Sequence, residues 1–470
     1  MAMGRVTCFE GPAMTDLLSG HREIVERAQC YRVTGRIVEV TGLVIVADGL
    51  PLPVGSMCRI ERTTGDAIAA QVVGVDRDRS ILMSLHDPLG VAAGDRVTSA
   101  AGLQYVPVGR QMLGTVLDGM GSPIDGNCDY VVESHYPVFT EAPAPLSRRP
   151  IKKVLSTGVR AIDAMHTIGG GQRLGIFAGT GVGKSVLLGM ISRYTSADVT
   201  VVALVGERGR EVGDFLRKDL GPEGMKRTVL VVSTSHESPV LRVRAGFVAT
   251  AVAEYFRDEG NDVLLLMDST TRLAMAQRQI GLSAGEPPTT KGYPPSVFAL
   301  LPQLMERSGH TAKGSITGLY TVLVEGDDIN EPISDTTRGI LDGHIWLARD
   351  LANRGHYPAI SVLESISRVM TDVVSAEHLE AARGVRRVLA VWNDIEDLVN
   401  IGAYAAGTNV EFDVAVAMKP EIDLFLQQAM RERAGWTETQ EKLLDLESRI
   451  NASREQLTAK AGRNQPVPTG

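Results

Sequence analysis

The run LGIFAGTGVGKSVLLGMI holds the densest chemical information in this 470-residue chain. An apolar stretch leads into Ala178-Gly179-Thr180-Gly181-Val182-Gly183-Lys184-Ser185-Val186, and a helix-forming segment follows. The three glycines let the backbone turn tightly and aim its N–H groups at phosphate oxygens. Lys184 would reach the β- and γ-phosphates of a nucleotide such as ATP, and the Ser185 hydroxyl would ligate Mg²⁺. The pattern departs from the general phosphate loop at one place, where Ala178 stands instead of Gly.

Two carboxylates end apolar runs that read as strands. VLLLMD closes on Asp268, placed to hold the water shell of a magnesium ion beside the loop. VTVVALVGERGREVGDF reaches Glu207, a candidate to orient and polarise an attacking water. Beside it, Arg208 would neutralise phosphate charge and Glu211 could bind a magnesium-bound water; the bland alternative is a solvated loop of mixed charge. Two further residues stay ambiguous from sequence. Arg368 in ESISRVM is either a surface ion pair or a guanidinium inserted into another subunit's nucleotide. Tyr357 in GHYPAI either stacks on a base or fills core space.

These residues need a scaffold, and the chain supplies several. Residues 14 to 28 set Met14, Leu17, Leu18, Ile24, Val25 and Ala28 on one helical stripe, so residues 1–30 read as an amphipathic segment that caps the next domain or docks a partner. Over 31–102, short β-prone runs split by Gly, Asp and Pro predict a small barrel. No Phe, Trp or Tyr lies between Arg32 and Gln104, and the charges nearly cancel, so the barrel lacks a base-stacking platform and reads as an assembly domain. From 103 to 372, a Gly/Pro-rich linker gives way to near-continuous apolar runs alternating with helical segments. That pattern predicts a multidomain α/β chain whose central domain is a parallel sheet buried on both faces. Residues 373–460 read as helical, with Leu379, Val385, Val388, Trp392, Ile395 and Val399 on one stripe and a second helical stretch over about Lys419 to Ile450. Residues 461–470 read as a disordered tail.

Bulk properties narrow the function classes. Hydrophobic residues make up 44% and charged residues 22%, ordinary for a globular protein, and the net charge of -8 removes the usual electrostatic footprint of nucleic-acid binding. No apolar run approaches the roughly 20 residues of a membrane span. The opening MAMGRVTCFEGPAM lacks a signal-peptide core. Four cysteines without paired spacing argue against a disulfide framework and a zinc site, and a reducing cytoplasm is expected.

From about residue 30 to 430 the chain resembles the rotary-ATPase superfamily, and within it the export ATPases of flagella and type III injectisomes. The stretches that carry the likeness include VPVGRQMLGTVLDGMGSPIDG, STGVRAID, FAGTGVGKS, GERGREV, IGLSAGEPPTTKGYPPSVF, GSITGLYTVLVEGDDINEPISD, LDGHIWLARDLANRGHYPAI and ESISRVM. Ala178 ahead of the glycines looks like that family's own variant. The resemblance implies a β-barrel, a RecA-like ATPase domain and a C-terminal helical domain. It implies Lys184 and Ser185 at ATP–Mg²⁺, Glu207 as the catalytic carboxylate, Asp268 in the magnesium shell and Arg208 and Arg272 near phosphate. Tyr357 would lie against adenine and Arg368 would act in trans. It further implies a stator-like regulator docked on the N-terminal segment and a GLSAGEPPTTKGYPP loop facing the pore. Because the chain carries both Glu207 and Arg368, copies of it can complete one another's sites, and a homohexamer is expected. Export-gate and stalk proteins, export substrates and their chaperones would be the other partners. Its place would be cytoplasmic, peripheral at the inner face of the cytoplasmic membrane, with no nucleic acid bound. The competing readings are the catalytic subunit of an ion-pumping rotary ATPase, a hexameric RNA translocase, and a non-hydrolysing nucleotide-binding subunit. The first usually carries an acidic lever motif where this chain reads NIGAYAAGTNVEFDVAVAMKPEIDLFLQQAM, and the last lacks the catalytic carboxylate.

Overall fold

A computed structural model describes residues 32–63, 65–126, 130–324, 326, 328 and 331–463, without side-chain detail beyond 460. The amphipathic segment expected over 1–30 lies outside these residues. The chain divides into two units between Gln104 and Tyr105.

The first unit is a closed barrel of six strands: β1 (Thr34–Thr41), β2 (Val44–Asp48), β3 (Met57–Glu61), β4 (Ile68–Asp76), β5 (Arg79–Ser84) and β6 (Arg96–Ser99). They run in the order β1-β2-β5-β4-β3-β6, every neighbour antiparallel, and β6 closes on β1. Along β4, Ile68, Ala70 and Val72 point inward on alternate positions, as the period of two requires. Ile37, Ile45, Ile60, Leu82 and Val97 complete an aliphatic interior.

The second unit is built on one large sheet. Its strands are β7 (Val116–Leu117), β8 (Arg173–Ala178), β9 (Val199–Glu207), β10 (Thr228–Thr234), β11 (Asp262–Asp268), β12 (Gly309–His310), β13 (Ser315–Leu323), β14 (Gly343–Leu347) and β15 (Ile360–Ser367). Their order is β15-β14-β8-β13-β11-β9-β10-β7, with β12 paired to β13. The strands from β14 to β7 are parallel, whereas β15 runs antiparallel to β14. All nine residues of β9 are buried, which is why its sequence shows no alternation. Helices cover both faces. Those that matter to the site are α1 (Arg160–Met165), α2 (Lys184–Tyr194), α3 (Gly209–Asp214), α4 (Pro239–Asp258) and α5 (Thr270–Ser283).

Three helices end the chain: α6 (Ala376–Asn400), α7 (Val410–Leu426) and α8 (Trp436–Arg463). The Ser375 side chain caps α6 by accepting from His378 N, and the Asn409 side chain caps α7 by accepting from Glu411 N. The single helical stretch expected over Lys419 to Ile450 is therefore two helices. The first starts earlier, at the Asn409 cap, and the chain leaves helical geometry at Gln427, where residues 427–435 are drawn onto the nucleotide-binding domain by hydrogen bonds. Helix α8 runs to Arg463, three residues into the segment expected to be tail; the rest lies outside the described residues. Ile162, Leu174 and Ile176 share one hydrophobic cluster with Val385, Val388, Ile422, Phe425 and Leu446, so these helices close the core of the second unit.

Candidate active site

Parallel strands end together, and the residues singled out from sequence lie along that one edge: Ala178 closes β8, Glu207 closes β9 and Asp268 closes β11. Ala178 is wholly buried and pairs with Leu323 and Leu347, so the position where the general pattern has Gly belongs to the sheet here. The loop turns at Gly181 and Gly183, whose φ angles of 81° and 90° are left-handed and suit only glycine. Gly183 is the N-cap of α2, so the free N–H groups and the positive end of the helix dipole open onto the loop. Arg349 Nη1 donates to Thr180 O at 3.1 Å and steadies the loop from outside.

Lys184 is the hub of the charges. Its ammonium donates to Asp268 Oδ1 and lies 4.0 Å from Glu207 Oε1, all three side chains being largely buried. Arg272, from the first turn of α5, sits 3.4 Å from Glu207 Oε2 and also donates to Gly206 O. A Cβ on Gly206 would meet the Arg272 stem at 3.1 Å, so glycine there lets the arginine lie flat behind the carboxylate. Thr321 of β13 donates to Asp268 Oδ1 at 2.7 Å and fixes its rotamer. Glu207 is pushed up to about 8, first by burial, then by its hydrogen bond with Glu211 and the charge of Asp268, against the pull of Lys184 and Arg272. Glu211 is held below the ordinary carboxylate range, first by the same hydrogen bond. Burial thus favours the protonated form of Glu207 over that of exposed Glu211. Arg208 is exposed at the N-cap of α3, and Ser185 and Val186 are exposed at the start of α2.

Beside the glycines opens a largely apolar cavity of about 430 Å³, lined among others by Val186, Met190, Leu347, Tyr357, Ala429 and Met430. Tyr357 is 45% exposed and its ring faces this space, so it does not fill the core. Its near edge lies 3.5 Å from where a Gly183 side chain would begin. A flat heterocycle fits between such walls, and the glycine loop beyond fits a polyphosphate.

Arg368 is not part of this constellation. Because β15 runs backwards, Ser367 pairs with Gly343 at the start of β14, and Arg368 N donates to Asp342 O. Asp342 in turn is level with Arg173, the first residue of β8. The exposed Arg368 is therefore five strand residues, roughly 16 Å along the sheet, from the edge that bears Lys184 of the same chain.

Sequence reasoning missed Thr321, Arg349 and the cavity residues Gln428, Ala429 and Met430. Thr321 hides inside the apolar run YTVLVEG, where a threonine reads as a plain strand former; only the register of β13 on β11 brings it to Asp268.

Residues 158–367 match the ATP synthase alpha/beta family, nucleotide-binding domain, and residues 374–445 match the T3SS EscN ATPase C-terminal domain. The chain is similar to the flagellum-specific ATP synthase of Bacillus subtilis (strain 168), 49% identical over 416 residues that span 88% of this chain and 94% of the relative. Among solved structures it resembles the assembled ATPase EscN from the enteropathogenic E. coli type III secretion system, with a TM-score of 0.84 and 43% identity, covering 88% of this chain and 100% of that one. It also resembles the same ATPase in complex with its central stalk EscO, with a TM-score of 0.81, 42% identity and the same coverage of both chains.

Proposed function

Because this chain belongs to the ATP synthase alpha/beta family, in the branch of the flagellar and type III secretion ATPases, we propose that it works as a homohexameric ring in which each neighbour completes the next one's site. It is an ATPase of flagellar-type (type III) protein export. The convergence of Lys184, Glu207, Asp268 and Arg272 on one edge of the sheet, beside a glycine loop and an apolar cavity, carries the reading.

The adenine lies against Tyr357, and the phosphates lie along the loop N–H groups. The triphosphate competes with Asp268 and Glu207 for the Lys184 ammonium, which carries much of the γ-phosphate charge. Ionised Glu207 then orients the attacking water, with Arg272, itself held by the Gly206 carbonyl, fixing its carboxylate and Arg208 near the outer phosphate oxygens. An exposed hydroxyl at Ser185 and the carboxylates of Asp268 and Glu211 suit Mg²⁺, which takes few protein ligands and keeps its phosphates and waters. When bound, that ion would supply charge neutralisation between the phosphates. Arg368 stabilises the transition state of the adjacent chain, since its own nucleotide lies across the sheet.

The EscN structures, one assembled and one with its stalk, support a ring and a stalk partner for this chain. The barrel without aromatics speaks against an RNA translocase, and the C-terminal match against an ion pump. Export cargo and chaperones, a regulator on the N-terminal segment and a cytoplasmic, membrane-peripheral place complete the proposal. Phosphate release from ATP by purified chain tests the site: Lys184→Ala should abolish it, and turnover near the parent rate would remove the loop from the reaction.

A further inference from the structure

The wall of the base cavity formed by Gln428, Ala429 and Met430 comes from the connection between α7 and α8, not from the nucleotide-binding domain itself. From 427 to 435 only Gln428 and the small Ala434 are buried, so hydrophobic packing contributes little to holding this segment in place. Polar tethers do, and they converge on Gln428. Its Oε1 accepts from Arg160 N at 2.8 Å, while its Nε2 donates to Gly158 O at 2.9 Å and to Glu432 O at 2.8 Å. Its backbone N–H donates to the carbonyl of Tyr357 at 2.9 Å, joining both walls of the cavity through one residue.

Arg160 closes the arrangement from the other side. Its Nη1 donates to Phe425 O at 3.0 Å and Gln427 O at 3.1 Å, and its Nη2 pairs with Glu432. The loop leading into α1, whose first residue is Arg160, is itself wound around buried Asp163, which accepts from Thr157 N at 2.8 Å, Thr157 Oγ1 at 2.7 Å and Ser156 Oγ at 2.6 Å. Arg193, in the last turn of the helix that begins at Lys184, donates to Met430 O at 2.7 Å.

We infer that Gln428, clamped by Arg160, is a positioning residue for the base-and-ribose end of the nucleotide. Nucleotide affinity then depends on how the α7–α8 connection is seated, whereas the chemistry at the phosphates does not. This rests on the cavity being the nucleotide site.

The test compares ATP with inorganic tripolyphosphate, which has no base to touch the wall. Gln428→Glu keeps the shape but turns an acceptor toward the carbonyls of Gly158 and Glu432. Arg160→Lys keeps the charge but cannot span its several acceptors at once. Each should weaken ATP binding about tenfold and raise KM alike, with kcat within about twofold and tripolyphosphate affinity unchanged. Arg431→Gln, an exposed charge on the same segment, should change neither ligand. Unchanged ATP affinity in both variants would overturn the inference. So would a proportional loss of ATP and tripolyphosphate, which marks a general folding role. Failure of the parent chain to bind ATP at all would instead sink the nucleotide-site reading beneath it.

Discussion

On the proposed reading Glu207 must be ionised to polarise water, yet burial pushes its carboxyl up to about 8. At pH 7 only about one free enzyme molecule in ten then has the working carboxylate. The expected kcat/KM at pH 7 is therefore about a tenth of its alkaline plateau, climbing with unit slope until about pH 8. The assay is phosphate release at subsaturating ATP from pH 5.5 to 9.5 at constant ionic strength. Arg272→Gln takes away the guanidinium 3.4 Å from Oε2, so the climb should move to still higher pH. Stability should run the other way. The unfolded chain loses this proton near the ordinary 4.5 and the folded chain near 8, so between those values the native state binds more protons. This group's contribution to stability is full below about 4.5 and declines as pH rises through that window. A plateau already reached by pH 6, or the same alkaline climb persisting in the residual rate of Glu207→Gln, would refute the reasoning.

Other outcomes follow from the geometry. Arg368→Ala should lower kcat by about 10³-fold or more with ATP binding kept, and mixing it with Lys184→Ala chains should restore part of the rate; mixed rings without rescue would remove it from the neighbour's site. Thr321→Val should reduce kcat about tenfold while lowering stability by about 1–3 kcal/mol, measured by steady-state kinetics beside urea unfolding, since it deletes one hydrogen bond to a charged group. Glu254→Ala leaves Arg307 wholly buried without its double partner, bonded now at 2.9 Å through Nε and at 2.5 Å through Nη2. Urea unfolding should register a loss of about 3–5 kcal/mol, and a change under about 1 would show that water reaches the guanidinium.

The parts of the site that one can read in sequence are those whose residue types are forced locally. Glycine at 181 and 183 answers a left-handed backbone, and an apolar run closing on Asp268 answers a buried parallel strand; both are visible without neighbours. Glu207 and Lys184 were legible for the same reason. Thr321 was not, because its role exists only through the pairing of β13 with β11. Gln428 was hidden for a different reason: a polar residue after an apolar helix looks like any solvated turn, and its burial arises from partners more than 260 positions away. The break between α7 and α8 has no glycine or proline at its start to announce it, since the helix stops where tertiary hydrogen bonds compete for its backbone. Arg368 announced its chemistry but not its address, which depends on the reversed course of β15.

That reversal has a consequence for populations of the molecule. On the proposed reading, with its phosphate pocket on one rim and Arg368 on the other, each copy has a receiving side and a giving side, so copies would join head to tail. An open row would always leave one receiver unserved, and only a closed circle would have no idle end. Output per copy should then grow with the length of the row, and scattered newly made chains would leave cellular ATP largely unhydrolysed until the circle shuts.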